Sequence, residues 1–148
     1  MIENLLADEL RKLIANAVAD YRLPVKNGER RPPQVVNGYL PLKRGSNDDD
    51  FPFVLVRVEG AKTEQDSTVI DVAIIVGCYA ETFDGHEYCL NVMSRIRNAL
   101  TFLPGWILAG KYALNFPIEY SILPDQPYPY WQLDMSTKWA VRTPEVIF

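Results

Sequence analysis

The sequence predicts an α+β domain, with two α-helices packed on one face of a mainly antiparallel sheet of about four strands. Two segments carry apolar residues at intervals of three and four, which is the spacing of an amphipathic helix. Other long segments alternate apolar and polar residues, which is the period of a β-strand. The order helix, hairpin, helix, hairpin is typical of this fold class.

Size and composition limit the class of protein. The chain has 148 residues, the size of a single domain, and we expect that domain to span 1–148. A composition of 48% hydrophobic and 23% charged residues excludes intrinsic disorder, and the apolar runs are too short to cross a membrane. The net charge of −4 disfavours binding to a nucleic-acid backbone. The N-terminus lacks the basic and apolar regions of a signal peptide, so we expect residence in a cytoplasm.

The N-terminal third contains the first helix and a long loop. The helix is predicted over 2–21, and Pro24 ends it. Residues 22–50 are rich in Gly, Pro, Asn and charge, which predicts a loop with one extended stretch at 34–40. Loops of that length in a compact domain are usually functional or mobile, so this loop is a candidate contact segment.

Two strands follow the loop. Residues 53–59 and 68–79 predict antiparallel strands joined by a polar hairpin connection at 60–67. One face of this pair is clearly core, and the opposite face is also partly apolar. Such a face marks an association site, so we expect the long loop or a second copy of the chain to cover it. The candidate oligomer interface consists of Phe53, Leu55, Ala73 and Ile75.

The second helix is predicted to begin at a capping box of Asp84 and Glu87 and to end at Pro104. His86 lies in its first turn, where the helix dipole disfavours protonation of an imidazole. A catalytic base could stand there. However, no serine or cysteine nucleophile lies beside it in a recognised pattern, which favours a surface histidine near the helix start.

Two further strands complete the sheet. Residues 112–122 alternate between apolar and polar side chains, which predicts a strand with one solvent-exposed face. Pro117 restricts this strand to an edge or a bulge. Residues 131–141 form the last amphipathic strand. Tyr128 lies in the turn between them and is a candidate for a protein contact, because tyrosine combines a large area with a polar tip.

Metal binding is weakly indicated. Cys78, His86 and Cys89, with Glu81 and Asp84 nearby, could ligate zinc, but their spacing fits no zinc finger. Both cysteines fall on inward-facing positions, so we interpret them as small core residues and expect neither a metal nor another cofactor.

An acidic run ends the long loop and could offer oxygen ligands to a divalent cation. It consists of Asp48, Asp49 and Asp50 and lacks the twelve-residue calcium-loop pattern. We interpret it as a solvated loop whose carboxylates meet basic residues of a partner.

Several segments, in order, resemble a known family. The resemblance covers most of the chain from 36 to 141 and implies a fold of the kind predicted here. The segments are Val36–Pro41, Phe51–Arg57, Ile75–Tyr79, Asn91–Arg97 and Gln126–Trp131. In these segments and their order the chain resembles the tail terminator, or tail completion, proteins encoded among the head-tail joining genes of long-tailed bacteriophages and prophages.

The resemblance implies a structural protein of the virion without enzyme activity. Such proteins form a ring, commonly a homohexamer, that stops polymerisation of the tail tube and faces the head-side connector. The partners implied are further copies of the chain, the tail tube protein and the connector protein, with DNA passing through the lumen without specific binding and no membrane contact. The implied location is the host bacterial cytoplasm during assembly and then the tail or neck of the virion.

Two rival hypotheses remain. One is another head-tail junction component, such as a connector or head-completion protein. The other, less favoured, is a small ligand-binding or enzymatic domain that uses His86, Cys78 and Cys89.

A protein that assembles in this way needs loops that dock on its partners. Under the assembly hypothesis the candidate docking residues are Asp48, Asp49, Asp50, Lys62, Glu64, Gln65 and Tyr128.

Overall fold

The computed structural model describes residues 2–40 and 50–143. Within these residues the chain forms two α-helices, six strands and a short 3₁₀ turn at Pro104–Trp106, which is the predicted α+β class. In chain order the elements are α1 (Ile2–Val18), β1 (Gln34–Asn37), β2 (Phe53–Thr63), β3 (Ser67–Tyr79), α2 (His86–Thr101), β4 (Ile107–Leu108), β5 (Tyr112–Ser121) and β6 (Tyr130–Arg142).

The strands form one mixed sheet in the order β1-β2-β3-β6-β5-β4. β1 runs parallel to β2, and the other neighbouring pairs are antiparallel. The prediction of about four antiparallel strands is therefore too coarse. β1 has four residues and β4 has two, and segments this short carry too little alternation to stand out in the sequence.

Both helices pack on one face of the sheet and form the main core with it. The inward face predicted for β3 is confirmed, since its alternate apolar residues all belong to this core. They are Ile70, Val72, Ile74, Val76 and Cys78.

Trp139 of β6 is the largest side chain in the core and is fully buried. Its indole Nε1 donates a hydrogen bond to the Thr137 hydroxyl at 2.9 Å, and that hydroxyl donates to the main-chain oxygen of Val72, also at 2.9 Å. Both polar side chains are buried with partners, which avoids the free-energy cost of unsatisfied donors in the interior.

The end of α1 is bound to α2. Arg95 donates a hydrogen bond to the Asp20 carboxylate at 2.5 Å, and its guanidinium lies 4.7 Å from the centre of the Tyr21 ring. The hydrogen bond and the charge of Arg95 lower the pKa of Asp20. α1 ends at Val18, before the predicted residue 21, and Tyr21 contacts α2 from the following turn.

The β2–β3 hairpin is longer than predicted. β2 continues past Glu59 to Thr63, with a register shift between Val58 and Gly60, and the amide of Glu64 closes the turn by donating to the Ser67 carbonyl at 2.8 Å. A shift of this kind adds a residue to one strand and lets pairing resume beyond it.

β5 also contains an irregularity. Its register with β6 shifts between Asn115 and Glu119, around Pro117. Of the two predicted alternatives, an edge or a bulge, the structure shows an interruption of the pairing around Pro117, where proline has no amide hydrogen to donate to the ladder.

Two glycines allow close approach of aromatic rings. Gly77 of β3 lies opposite Phe53 of β2, and a Cβ at position 77 would overlap the Phe53 ring. Gly85 precedes α2, and a Cβ there would overlap the Trp131 indole. The capping box predicted at this helix start is wrong: the N-cap is Gly85 without a side-chain cap, and the amide of Glu87 donates to the main-chain oxygen of Asp84.

Candidate functional site

The predicted oligomer interface lies on the second face of the sheet, the face opposite the helices. Its four side chains form one apolar cluster, and each is between 4% and 8% exposed. Val36, Leu40 and Phe51 pack against this cluster within one chain. The interface role of Phe53, Leu55, Ala73 and Ile75 stays a prediction, and little of these four side chains is accessible to a second copy.

The acidic run is described only at its last residue, since Asp48 and Asp49 lie outside the described residues. Asp50 is 2% exposed, and its main-chain oxygen accepts a hydrogen bond from the Gln34 side chain at 2.8 Å. The expectation of a solvated carboxylate at position 50 is therefore wrong, because the chain turns inward there to begin β2. A partner docking from outside does not meet this carboxylate.

The tip of the β2–β3 hairpin is accessible. Lys62 and Glu64 form an ion pair at 3.3 Å with side chains that are 81% and 66% exposed, and Gln65 beside them is exposed as well. An ion pair this exposed contributes little to the stability of the fold. The two charged side chains are therefore available for the docking role predicted for the tip.

Tyr128 belongs to an exposed aromatic pair. Its ring stacks on Phe83 at 5.6 Å between centroids, and its hydroxyl donates to the main-chain oxygen of Glu81 at 2.7 Å. The Phe83 ring is 88% exposed. Together with the exposed carboxylate residues Glu81, Asp84 and Glu87, these two rings form what we call the acidic aromatic patch, at the start of α2.

A second exposed group of apolar rings lies at the end of α2. The Trp106 and Phe116 rings meet edge to face at 4.8 Å between centroids, and the Trp106 indole donates to the main-chain oxygen of Thr101 at 3.2 Å. The Phe102 ring is 82% exposed. We use the name basic aromatic patch for the exposed residues at and after the end of α2, which are Phe102, Trp106, Ile107 and Phe116, together with the exposed Arg97 in the last turns of α2 and Lys111 before β5.

The backbone under the basic aromatic patch is strained. Gly105 has φ of 62°, and Trp106, which follows it, has φ of 57°. A residue with a side chain in this left-handed region costs about 1 kcal/mol or more, and such residues cluster at functional sites. The hydrogen bond to Thr101 and the contact with Phe116 hold the Trp106 ring in this position.

The three residues of the ligand-binding or enzymatic hypothesis differ in their burial. Cys78 and Cys89 are buried in the core and their thiols contact each other, whereas the His86 ring faces Trp131 at 6.1 Å between centroids. The hydrogen bond with the Cys89 thiol, together with burial, raises the pKa of Cys78 well above its ordinary value. A protonated, buried thiol is a poor nucleophile and a poor metal ligand.

Thiol labelling tests this arrangement. In the native protein we expect neither Cys78 nor Cys89 to react with a thiol reagent at pH 8 over the time in which a denatured sample reacts at both positions, because both thiols are buried and the raised pKa of Cys78 also suppresses its thiolate. The measurement is a colorimetric thiol count before and after adding guanidinium chloride. Rapid labelling of either cysteine in the native state would contradict the core assignment.

The open grooves lie elsewhere. One of about 380 Å³ crosses the second face between Glu59, Asp71 and Glu119, and Lys138 pairs with Asp71 there at 2.8 Å. Another, of about 530 Å³, lies between the start of α1 and the β1–β2 edge. Neither groove is lined by His86 or by the cysteines. In residues 2–40 and 50–143, no three His, Cys, Asp or Glu side chains are arranged to hold a metal ion.

Comparison with known proteins gives no assignment. The chain matches no protein-family model and no curated protein. Within the described part of the chain, neither helix is both long and apolar enough to span a membrane.

Proposed function

We propose that this protein is a structural assembly protein of a long-tailed bacteriophage or prophage, which caps the tail tube as an oligomeric ring and joins it to the head-side connector. The observation that carries the proposal is the exposure of large aromatic rings in two patches, led by Phe83 and Trp106. Exposed apolar groups of this kind mark protein contacts, and tryptophan and tyrosine are enriched where such contacts are strongest.

The location of these rings supports a role in assembly rather than an enzymatic role. The rings of the acidic aromatic patch and the basic aromatic patch are exposed and lie outside the main core, where a partner can reach them. The accessible hairpin tip at Lys62 and Glu64 offers a further docking site for the tail tube or the connector. In contrast, two of the three side chains named for the rival enzymatic hypothesis, Cys78 and Cys89, are buried, and only His86 is partly exposed.

Deletion of the gene that encodes this protein from the phage or prophage genome tests the proposal. We expect tail tubes of variable length and heads without tails, because the ring both stops the tube and joins it, and we expect a plasmid copy of the intact chain to restore uniform, joined tails. The measurement is the distribution of tail lengths by negative-stain electron microscopy.

The same experiment separates the rival assembly role. Tails of normal, uniform length that fail to join heads would overturn the capping role and assign the protein to the connector or head-completion class. Particles that are normal in both length and joining would overturn the proposal as a whole.

A further inference from the structure

We infer that the two aromatic patches bind each other between neighbouring copies, so that the acidic aromatic patch of one copy docks on the basic aromatic patch of the next. The occupant of each patch is thus a second copy of this chain. The inference rests on the ring proposed above and deepens it by naming the surfaces that meet.

The first argument is the position of the patches along α2. Phe83 lies three residues before the helix and Trp106 five residues after it. A helix of 16 residues is about 24 Å long at 1.5 Å per residue. One copy therefore cannot bring its own two patches together. A contact between two different surfaces is heterologous, and repetition of such a contact closes a ring when the rotation between copies allows it.

The second argument is charge complementarity. Glu81, Asp84 and Glu87 are exposed around the first pair of rings. Arg97 lies one helical turn before Thr101, whose main-chain oxygen binds the Trp106 indole. Opposite charges around the two groups of rings favour this pairing and disfavour contact of either patch with another copy of itself.

The cations of the basic patch come from two elements. Arg97 belongs to the last turns of α2, and Lys111 precedes β5 with its ammonium 5.1 Å from the Tyr112 ring. On the other patch, Arg30 lies 6.0 Å from the ring of Tyr88, which follows Glu87 in α2. Three carboxylates against one nearby guanidinium leave that patch acidic.

The third argument is that the rings are already held in place. The Tyr128 hydroxyl is bonded to Glu81, and the Trp106 indole is bonded to Thr101. Each ring also packs against a second exposed ring. Binding then costs less conformational entropy than the ordering of free side chains would, which is the condition for a strong contact of modest area.

Two complementary variants test the inference. Phe83→Arg places a cation in the acidic aromatic patch, where it faces the cations of the next copy. Trp106→Asp removes the indole and places an anion in the basic aromatic patch, and aspartate tolerates the positive φ at this position. Each variant destroys one surface and keeps the other. Lys62→Ala, at the hairpin tip, is the matched control because it changes an exposed charge outside both patches.

Light-scattering mass across concentration, with sedimentation velocity, measures the result. We expect the intact chain and Lys62→Ala to self-associate with the same affinity. Each patch variant alone should self-associate at least about 30-fold more weakly than the intact chain, the effect expected when an interface hot spot is lost. An equal mixture of the two variants should form a dimer and nothing larger, because it contains one intact pair of surfaces. Added salt should weaken that dimer.

Several outcomes would overturn the inference. These are an intact chain that stays monomeric at its highest soluble concentration, patch variants that associate as the intact chain does, or a mixture that forms no dimer. Far-ultraviolet circular dichroism and thermal melting verify that each variant folds. If one does not, Phe83→Ser or Trp106→Asn replaces it, with the same expected loss of association and the same dimer on mixing.

Failure here is distinguishable from failure of the proposed function. If the patch variants restore uniform, joined tails in the deletion strain, the contact is wrong while the capping role stands. If the deletion strain itself makes normal particles, the capping role is wrong whatever the mixture shows.

Discussion

Replacement of Trp139 by alanine is expected to lower the free energy of unfolding by about 3–5 kcal/mol, the range for removing a large ring from a core. The indole is fully buried between the sheet and the helices, and its loss also deprives the Thr137 hydroxyl of the donor it accepts from. The total free energy of unfolding of a domain is about 5–15 kcal/mol, so this substitution removes a large part of the stability. Urea unfolding followed by circular dichroism measures the change.

Trp106→Ala is the matched control for that prediction, since it removes the same ring from an exposed position. We expect a loss of about 1 kcal/mol or less, because the Trp106 ring is half exposed and packs mainly on Phe116. Both variants are measured at a protein concentration below self-association, so that binding between copies does not add to stability. Equal losses at the two positions would contradict the core assignment of Trp139.

Gly77→Ala is expected to destabilise the protein by about 1–3 kcal/mol, the range for overpacking a core. A Cβ at position 77 overlaps three atoms of the Phe53 ring, which is packed between Phe51 and Leu55 on the second face and has little room to move. The added methyl must therefore displace a buried ring. The measurement is again the midpoint and slope of urea unfolding.

Two further variants isolate the cause. Gly60→Ala, in β2, places its Cβ 4.0 Å from the Asp71 carboxylate, an ordinary contact, so we expect no loss and a gain of up to about 1 kcal/mol from a less flexible unfolded chain. In a Phe53→Leu background the added cost of Gly77→Ala should fall, because the ring atoms are gone. An unchanged cost in that background would mean that backbone conformation, rather than overlap with Phe53, explains the loss.

Much of the sheet could be predicted because its central strands are long. β3 and β6 have 13 residues each, so alternation repeats often enough to recognise both strands and to assign the inward face of β3, whereas their pairing with each other was not predicted. The interruption of pairing at Pro117 was also predictable, since it follows from the missing amide hydrogen alone.

Other features depend on contacts distant in sequence. β4 forms only because Ile107 and Leu108 lie against β5, and the parallel pairing of β1 depends on where the long loop returns to the sheet. The helix start is a further case: the N-cap is Gly85 rather than Asp84, and Gly85 lies against the Trp131 indole, a neighbour 46 residues away in the sequence that no local pattern predicts.

The candidate site was predicted in part. Tyr128 could be singled out because it lies in a proline-flanked turn, where a large polar-tipped ring has no core position. Phe83, Phe102 and Trp106 could not, because an aromatic residue next to a helix end packs inward as often as outward. Asp50 shows the opposite case, since a residue at the end of an acidic run is buried by the strand that follows it.

The order of strands in the sheet affects synthesis of the protein. β6 lies between β3 and β5, so the centre of the sheet is completed by a strand that leaves the ribosome after the other five. Until residues 130–142 emerge, the helices and the β2–β3 hairpin lack the core side chains of β6, Trp139 among them, and one edge of β3 has no strand to pair with. An incomplete chain of this kind exposes an unpaired strand edge, so we expect the nascent protein to be prone to aggregation until β6 has been synthesised.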